Sequence, residues 1–179
     1  QRVDKTLFEG SHYLGKPADH EDLLVRRRIE ILKNFHKFWD ENATILDIGC
    51  GNGNTILPIS NSFKQAYGLE YAPDHEKEFH ELKVKTQVTN AEWVQHDISK
   101  GAFEPQVDRL ISFEVIEHLP SEEAVKNYAK SLKDGGLFAI SVTNKWWIFE
   151  PHVATIKLLH WNRVPYFSWL PKPTHESWA

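Results

Sequence analysis

Two hydrophobic periodicities alternate along the first three quarters of the chain. Short apolar segments bounded by glycine, proline or polar residues predict strands at 44–48, 65–70, 92–95, 107–113 and 137–142. Amphipathic or polar segments between them predict helices at 19–39, 54–63, 74–85 and 121–132. Strands that alternate with helices predict a parallel sheet with right-handed crossovers and helices on both faces.

Local signals refine these helices. In the first, Leu24, Ile31, Phe35 and Phe38 have mostly helical spacing, so we expect them on its apolar side. Pro58 limits the second helix. In the fourth, Ser121 is the expected N-cap, acidic residues follow it, and the glycines after Asp134 are expected to stop the helix.

Composition restricts the class of protein. The chain has 179 residues, 41% hydrophobic and 26% charged, which is typical of one globular domain, and its net charge of −4 disfavours an electrostatic nucleic-acid binder. A single cysteine, Cys50, excludes an internal disulfide, so we expect a reducing, cytoplasmic location. Because the sequence has no methionine, we expect that it begins inside the gene product or omits residues.

The segment ILDIGCGNG, residues 45–53, is the strongest chemical signal. A predicted strand runs into glycines 49, 51 and 53, which permit positive φ angles and let a ligand approach the bare backbone. The start of the next helix offers unpaired N–H groups to an anion. Taken alone, the segment is also consistent with a tight turn that binds nothing.

Carboxylates end the next two predicted strands. Glu70 closes the second strand and could accept hydrogen bonds from both ribose hydroxyls of a nucleotide. Asp97 follows the third strand and could accept from an adenine amino group. Each carboxylate could equally be a solvated acid, but parallel strands end at one edge, where open α/β sheets bind ligands.

In five motifs the chain resembles the class I S-adenosylmethionine-dependent methyltransferases, in particular the small-molecule branch related to methyltransferase types 11 and 12. The motifs are LDIGCGNG at 46–53, GLEY at 68–71, QHDIS at 95–99, ISFEVIEHLP at 111–120 and LKDGGLFAISVTN at 132–144. The resemblance implies a Rossmann-like, doubly wound, mostly parallel sheet. Because 145–179 does not resemble the final helix and hairpin of complete seven-stranded members, we expect a truncated chain that lacks the C-terminal strands.

The resemblance also implies roles for individual residues in binding S-adenosylmethionine, and no metal is expected. The residues expected to bind it are Asp47, Gly49, Cys50, Gly51, Gly53, Glu70, Tyr71, Asp97, Ile98, Phe113 and Glu114. The glycines would line the methionine part, with Asp47 supporting their loop through hydrogen bonds. Glu70 would hold the ribose, Tyr71 would lie against the adenine, and Asp97 with the Ile98 backbone would bind its edge. Phe113 and Glu114 would contact the methionine end and face the acceptor.

A general base is needed if the methyl acceptor is an oxygen, and His118 is the candidate because its ordinary pKa suits that task. His118 could instead pack locally, and Glu114 and Glu117 are alternatives. The family's Asn/Asp-Pro-Pro-aromatic signature for base or glutamine amino groups is absent after the fourth strand. This absence also disfavours a nucleic-acid acceptor.

Three regions follow from these patterns: an N-terminal lid segment and helix at 1–43, a core at 44–144, and an aromatic-rich segment at 145–179. Tyr13 and the pair Trp146 and Trp147 are candidate substrate contacts. Five of the seven tryptophans lie in the last region. That region could be a substrate cap, a protein or membrane-surface contact, or ordinary core packing, and these alternatives stay open.

The sequence therefore predicts an enzyme (EC 2.1.1.-) that methylates a small molecule, with an apolar, aromatic, lipid-like or quinone-like acceptor as one hypothesis. A non-catalytic partner subunit that binds S-adenosylmethionine is the alternative. An NAD-type oxidoreductase is disfavoured because Asn54 stands where the dinucleotide fingerprint needs its third glycine. The oligomeric state stays open.

Overall fold

The computed structural model describes residues 23–142, with the side chains of 23 and 24 left out, and the backbone of 155–156 and 159–160. The chain divides into two compact units, Gln1–Ile140 and Ser141–Ala179. The main elements, in chain order, are α1 (Leu23–Lys33), β1 (Asp40–Ile48), α2 (Ile56–Ile59), β2 (Phe63–Glu70), α3 (Glu76–Lys85), β3 (Ala91–Gln95), β4 (Val107–Phe113), α4 (Glu122–Ser131) and β5 (Leu132–Ser141).

A five-stranded sheet forms the centre of this fold, with strand order β3-β2-β1-β4-β5. β1 is parallel to both β2 and β4, and β2 is parallel to β3. The predicted Rossmann-like α/β fold is therefore confirmed. In the last region, where the sequence predicted no strand, the structure describes a separate antiparallel pair, β6 (Thr155–Ile156) and β7 (Leu159–His160).

Both faces of the sheet carry a hydrophobic cluster. Ile45 on β1 packs with Phe79 of α3 on one face, and Leu46 packs with Tyr128 of α4 on the other. Alternate residues of a strand point to opposite faces, so a central parallel strand that is apolar at consecutive positions is buried on both sides. This packing holds the end of β1 rigidly in place.

The first helix uses a different face from the one predicted. Ile31 and Phe35 are more than half exposed, whereas Val25 and Leu32 are almost fully buried. The helix ends at Lys33, and the chain turns before Phe38, which is nevertheless buried. Val25 and Leu32 are seven residues apart and share one helix face, and this face packs against the sheet.

The second helix is shorter than its predicted range, and the fourth helix, which lies close to its predicted range, ends without the predicted glycine stop. α2 has only four residues, with Pro58 inside it, and the chain then tightens into a 3-10 turn at Ser60–Ser62. α4 passes directly into β5 at Leu132, so the glycines after Asp134 lie in a strand and do not follow the helix as a loop. Ser121 occupies the N-cap of α4, but its side chain makes no capping hydrogen bond.

Towards the N-terminal ends of the strands, a partly buried polar contact joins β1 to β4. The Asp108 carboxylate accepts hydrogen bonds of 2.9 Å from both the backbone N–H and the hydroxyl of Thr44. Lys133 donates to the same carboxylate at 2.9 Å. Burial alone would raise the pKa of Asp108, but the bonds from Thr44 and Lys133 outweigh it and lower the pKa to about 2.

Candidate ligand-binding site

The predicted ligand residues meet at the C-terminal edge of the sheet. Strand register places Ile48 opposite Leu69, and Glu70 opposite Gln95. The turn after β1 therefore lies beside the end of β2, and the segment after β3 lies beside Glu70. The His96 N–H donates to the Glu70 carbonyl at 2.9 Å, which extends this alignment by one residue. Parallel strands give the site its shape because their ends share one edge.

The glycine turn is held by backbone hydrogen bonds to β2. The N–H groups of Gly49 and Cys50 donate to the Leu69 carbonyl at 2.8 and 3.1 Å. Gly49, Gly51 and Gly53 have φ angles of 76°, 52° and 83°, which are left-handed conformations that favour glycine. At Gly49 the need for glycine is also steric, because a Cβ there would lie 2.4 Å from Cγ2 of Val115.

Glu70 ties this turn to the second strand. One oxygen of its carboxylate accepts from the Gly51 N–H at 3.0 Å, and the other accepts from the Tyr71 N–H at 2.9 Å. The side chain is buried. The second oxygen also accepts a longer bond of 3.4 Å from the Ala72 N–H. Since each carboxylate oxygen can accept two hydrogen bonds, the first oxygen keeps the greater capacity for a ligand hydroxyl.

Asp47 lies beneath the turn and is fully buried at the end of β1. Burial raises the pKa of Asp47 well above its usual value, the charge of Glu70 raises it further, and the charge of Arg28 opposes both. We expected Asp47 to support the loop through hydrogen bonds. The Leu69 carbonyl and the Glu70 carboxylate accept hydrogen bonds from this loop, and the supporting role of Asp47 stays a prediction.

Asp97 forms its own tight turn after β3. Its carboxylate accepts from the N–H and hydroxyl of Ser99 at 3.0 and 2.6 Å, and Lys100 lies 3.1 Å from the other oxygen. The Ser99 hydroxyl is the main cause of the lowered pKa of Asp97. The side chain of Ile98 is buried in the core, and its carbonyl accepts from the Asn127 amide at 2.8 Å. This turn therefore presents an ionised carboxylate on a firmly anchored backbone.

At the end of β4 the chain changes direction sharply. Glu114 has a φ of 58°, an uncommon conformation for a residue with a side chain and one that often marks functional sites. Its carboxylate lies 3.6 Å from the guanidinium of Arg28 on α1. The same guanidinium lies 5.6 Å from the centre of the Phe113 ring. An arginine from α1 thus reaches the point where β4 ends.

The remaining candidates differ in exposure. His118 is exposed at the end of a 3-10 turn, Ile116–His118, and Tyr71 is 55% exposed. Cys50 is buried, and burial, with the nearby charges of Asp47 and Glu70, raises the pKa of its thiol. Tyr13, Trp146 and Trp147 lie outside the described residues.

Sequence reasoning missed three residues that shape the site. Arg28 was one of three consecutive arginines, and only the correct buried face of α1 would have selected it. Val115 packs over Gly49, and no local sequence pattern indicates this contact. Gly68 in β2 lets Cys50 approach, because a Cβ there would lie 2.8 Å from the Cys50 sulfur.

These residues fit an adenosyl ligand that carries an amino acid. No described residue places a heavy atom within 4 Å of a Cβ built on Gly51, so the backbone there faces open space. The buried Glu70 can accept from paired hydroxyls, and the acidic groups around the turn favour a cation. In residues 23–142 there is no cluster of three or more metal-binding side chains. No helix of that part has the length and apolar character to cross a membrane.

A parallel sheet of this order, with a glycine turn after β1 and an acid after β2, defines an α/β domain that binds ligands at its C-terminal edge. The model of a methyltransferase domain family matches residues 24–178. The chain belongs to that family. This confirms the predicted class I S-adenosylmethionine-dependent methyltransferase relationship, and S-adenosylmethionine is the cofactor of that class.

Named relatives span several methylation reactions. The chain is 30% identical over 121 residues to a ubiquinone biosynthesis O-methyltransferase of Hydrogenovibrio crunogenus, covering 66% of this chain and 49% of that protein. It is 28% identical over 130 residues to N-methyltransferase 4 of Papaver somniferum, covering 68% of this chain and 35% of that protein. The chain thus spans half or less of the length of these relatives.

Solved structures share the fold. A coclaurine N-methyltransferase bound to N-methylheliamine and S-adenosylhomocysteine matches with a TM-score of 0.56 and 19% identity, covering 69% of this chain and 38% of that one. The N-methyltransferase NodS from Bradyrhizobium japonicum, in complex with S-adenosylhomocysteine, matches with a TM-score of 0.58 and 19% identity, covering 71% and 67%. At such identities the likeness is one of fold.

Proposed function

We propose that this chain binds S-adenosylmethionine at the C-terminal edge of its sheet and transfers the methyl group to a small organic molecule. The observation that carries the proposal is the buried Glu70 carboxylate, which joins the glycine turn to the end of β2. A carboxylate in this position suits the two hydroxyls of a ribose. Bound donor supplies an activated methyl group, so the protein's task is largely to hold the acceptor in line.

In this proposal different residues bind different parts of the ligand. Glu70 accepts from the ribose hydroxyls, and the anchored turn of Asp97 and Ile98 binds the adenine edge. The exposed Tyr71 ring lies against the adenine. The bare backbone at Gly51 allows close approach of the amino-acid end, which carries an ammonium group that the acidic surroundings favour.

The acceptor is proposed to be an apolar or aromatic small molecule, with support from relatives named for ubiquinone biosynthesis and for coclaurine methylation. His118 is the proposed base for an oxygen acceptor, since it is exposed beside the end of β4 and can exchange protons with solvent. Tyr13, Trp146 and Trp147 stay the candidate substrate contacts, and the roles of 1–43 and 145–179 stay predictions. A cytoplasmic location stays a prediction.

Calorimetric titration with S-adenosylhomocysteine tests the donor site. We expect the full chain to bind this product and not NAD. Glu70→Gln should weaken binding roughly 10- to 100-fold, because it removes charge-assisted hydrogen bonds. Glu92→Gln, an exposed glutamate on β3, is the matched control and should bind like the wild type. Equal affinity of the wild type and Glu70→Gln would contradict the placement of the ribose.

Turnover separates an enzyme from a non-catalytic subunit that binds the donor. The chain is incubated with donor carrying a labelled methyl group and with a cell extract split into small-molecule and macromolecular fractions. We expect label in the small-molecule fraction, and His118→Ala should reduce it for an oxygen acceptor while leaving product binding intact. Binding without transfer to either fraction would favour the subunit alternative, and label in RNA or protein would contradict the acceptor class.

A further inference from the structure

We infer that Ser112 and Tyr128 are positioning residues of the proposed donor site, because their hydrogen bonds set how far the ends of β1 and β4 separate. The inference rests on the proposed binding of S-adenosylmethionine and adds to it two buried side chains that act through the backbone. It is carried by two consecutive hydrogen bonds, called the hydroxyl bridge below, that join α4 to β4 and β4 to the last residue of β1.

The strands β1 and β4 separate just before the glycine turn. Their backbone pairing ends at Asp47 opposite Ile111, whereas on its other side β1 stays paired with β2 up to Ile48 opposite Leu69. The strand order β3-β2-β1-β4-β5 makes the interval between β1 and β4 the place where the winding of the sheet reverses. Open α/β sheets bind ligands at that place. The amino-acid end of the donor would lie in this opening, between the glycine turn and the end of β4.

A side chain joins the two strands one residue beyond their last backbone pair. Ser112 follows Ile111 on β4, and its hydroxyl donates to the Ile48 carbonyl at 3.1 Å. The hydroxyl of Tyr128, on α4, lies 3.0 Å from the same Ser112 oxygen. Since the single hydroxyl hydrogen of Ser112 is used on Ile48, Tyr128 donates to Ser112. The hydroxyl bridge therefore runs in one direction, from α4 through β4 to the residue that precedes Gly49.

Both hydroxyls of the bridge are shielded from water. Ser112 is fully buried and Tyr128 is almost so, and this burial raises the pKa of Tyr128, which keeps its phenol protonated and able to donate. A buried hydroxyl without a partner is costly, so the two side chains favour the one separation of β1 and β4 that satisfies both. Gly49 directly follows Ile48, and Phe113 directly follows Ser112. A change in that separation would therefore move both sides of the opening.

The test compares two ligands that differ at the amino-acid end. The full chain and its variants are titrated with S-adenosylhomocysteine and with methylthioadenosine, which lacks the amino acid. We expect Ser112→Ala and Tyr128→Phe each to lose roughly 3- to 10-fold in affinity for S-adenosylhomocysteine and less than about twofold for methylthioadenosine. Because the two hydroxyls act together, the double variant should lose less than the product of the two single losses. Ser112→Thr, which keeps the hydroxyl, should keep the wild-type ratio of the two affinities.

Ser131→Ala is the matched control, since Ser131 is a fully buried serine at the last residue of α4. Its hydroxyl donates to the Asn127 carbonyl at 2.7 Å and accepts from the Phe103 N–H at 2.8 Å. The control should lower stability and leave the ratio of the two affinities unchanged. Unchanged affinity of Ser112→Ala for S-adenosylhomocysteine would overturn the inference, and so would an equal loss for both ligands, which indicates a purely structural role. If the wild-type chain binds neither ligand, the donor site itself is wrong, and this outcome is distinct from both.

Discussion

At the scale of single residues, the glycine turn requires glycine for two separate reasons. One is a positive φ angle, and the other is a lack of space for a Cβ atom. Gly49 and Gly51 both have positive φ angles, but only Gly49 is covered by a side chain, that of Val115. Any other residue at Gly51 costs backbone strain alone. At Gly49 an added side chain would also clash with Val115.

We therefore expect Gly49→Ala to lower the free energy of unfolding by about 2–4 kcal/mol, from left-handed strain plus overpacking. Gly51→Ala should lower it by only about 1–2 kcal/mol, from strain alone. Urea denaturation of both variants measures the difference. Adding Val115→Ala to Gly49→Ala should recover part of the loss, and equal destabilisation by the two glycine substitutions would contradict the steric role of Val115.

Asp108 gives a pH-dependent contribution to stability. Its pKa is lowered to about 2 in the fold, so its carboxylate stabilises the fold above its ordinary pKa near 3.8, and this stabilisation is lost as pH falls through about 2. Discounted for partial exposure, the contribution is about 1–2 kcal/mol at neutral pH. The difference in the free energy of unfolding between the wild type and Asp108→Asn, measured by denaturation, should be smaller at pH 2.5 than at pH 7. If this difference did not depend on pH, the protonation of Asp108 would not be coupled to stability.

At the scale of elements, strand ends were easier to predict than strand starts. The C-terminal ends of β1, β2 and β3 were predicted correctly because each buried apolar run stops at a turn residue or a polar side chain. β1 begins four residues earlier than predicted, because the polar, exposed Asp40 pairs with Phe63 of β2 ahead of a register irregularity that ends at Thr44. Pairing of that kind is tertiary, and local sequence does not encode it.

The same limit applies to β5 and α1. The glycines after Asp134 are typical of a helix stop, yet β5 begins at Leu132. In α1 two apolar stripes were present, and no local signal favours the one through Val25 and Leu32. The position of the glycine turn could be predicted because its motif is local, whereas the position of Arg28 depends on how α1 packs.

α4 supports the adenine side of the proposed site through Asn127. Its amide donates to the buried Ile98 carbonyl at 2.8 Å. Asn127→Ala leaves that carbonyl unpaired, so we expect it to destabilise the fold by about 1–3 kcal/mol and to weaken S-adenosylhomocysteine binding by loosening the Asp97 turn. Lys126→Ala, at an exposed neighbour on the same helix, is the control and should leave stability and binding close to those of the wild type. Wild-type behaviour of Asn127→Ala would show that the turn does not depend on α4.

At the scale of the whole sheet, ligand binding is expected to act on one edge only. Hydrogen exchange measured with and without S-adenosylhomocysteine should slow at 49–53, 70–72 and 97–99, where the proposed contacts lie. Exchange near Thr44 and Asp108, at the far ends of the strands, should change little. Uniform slowing across the sheet would indicate general stabilisation by the ligand rather than contacts at that edge.

The positions of Asp108 and Glu70 at opposite ends of the strands have a practical consequence for engineering. Gly49 follows Thr44 by five residues along the strand, which is about 16 Å at 3.3 Å per residue. Substitutions that far apart usually contribute independently. Substitutions that strengthen the hydrogen bonds around Asp108 should therefore raise the melting temperature without changing ligand affinity. The double variant that combines Asp108→Asn with Glu70→Gln should show the sum of the two separate changes in stability and in affinity.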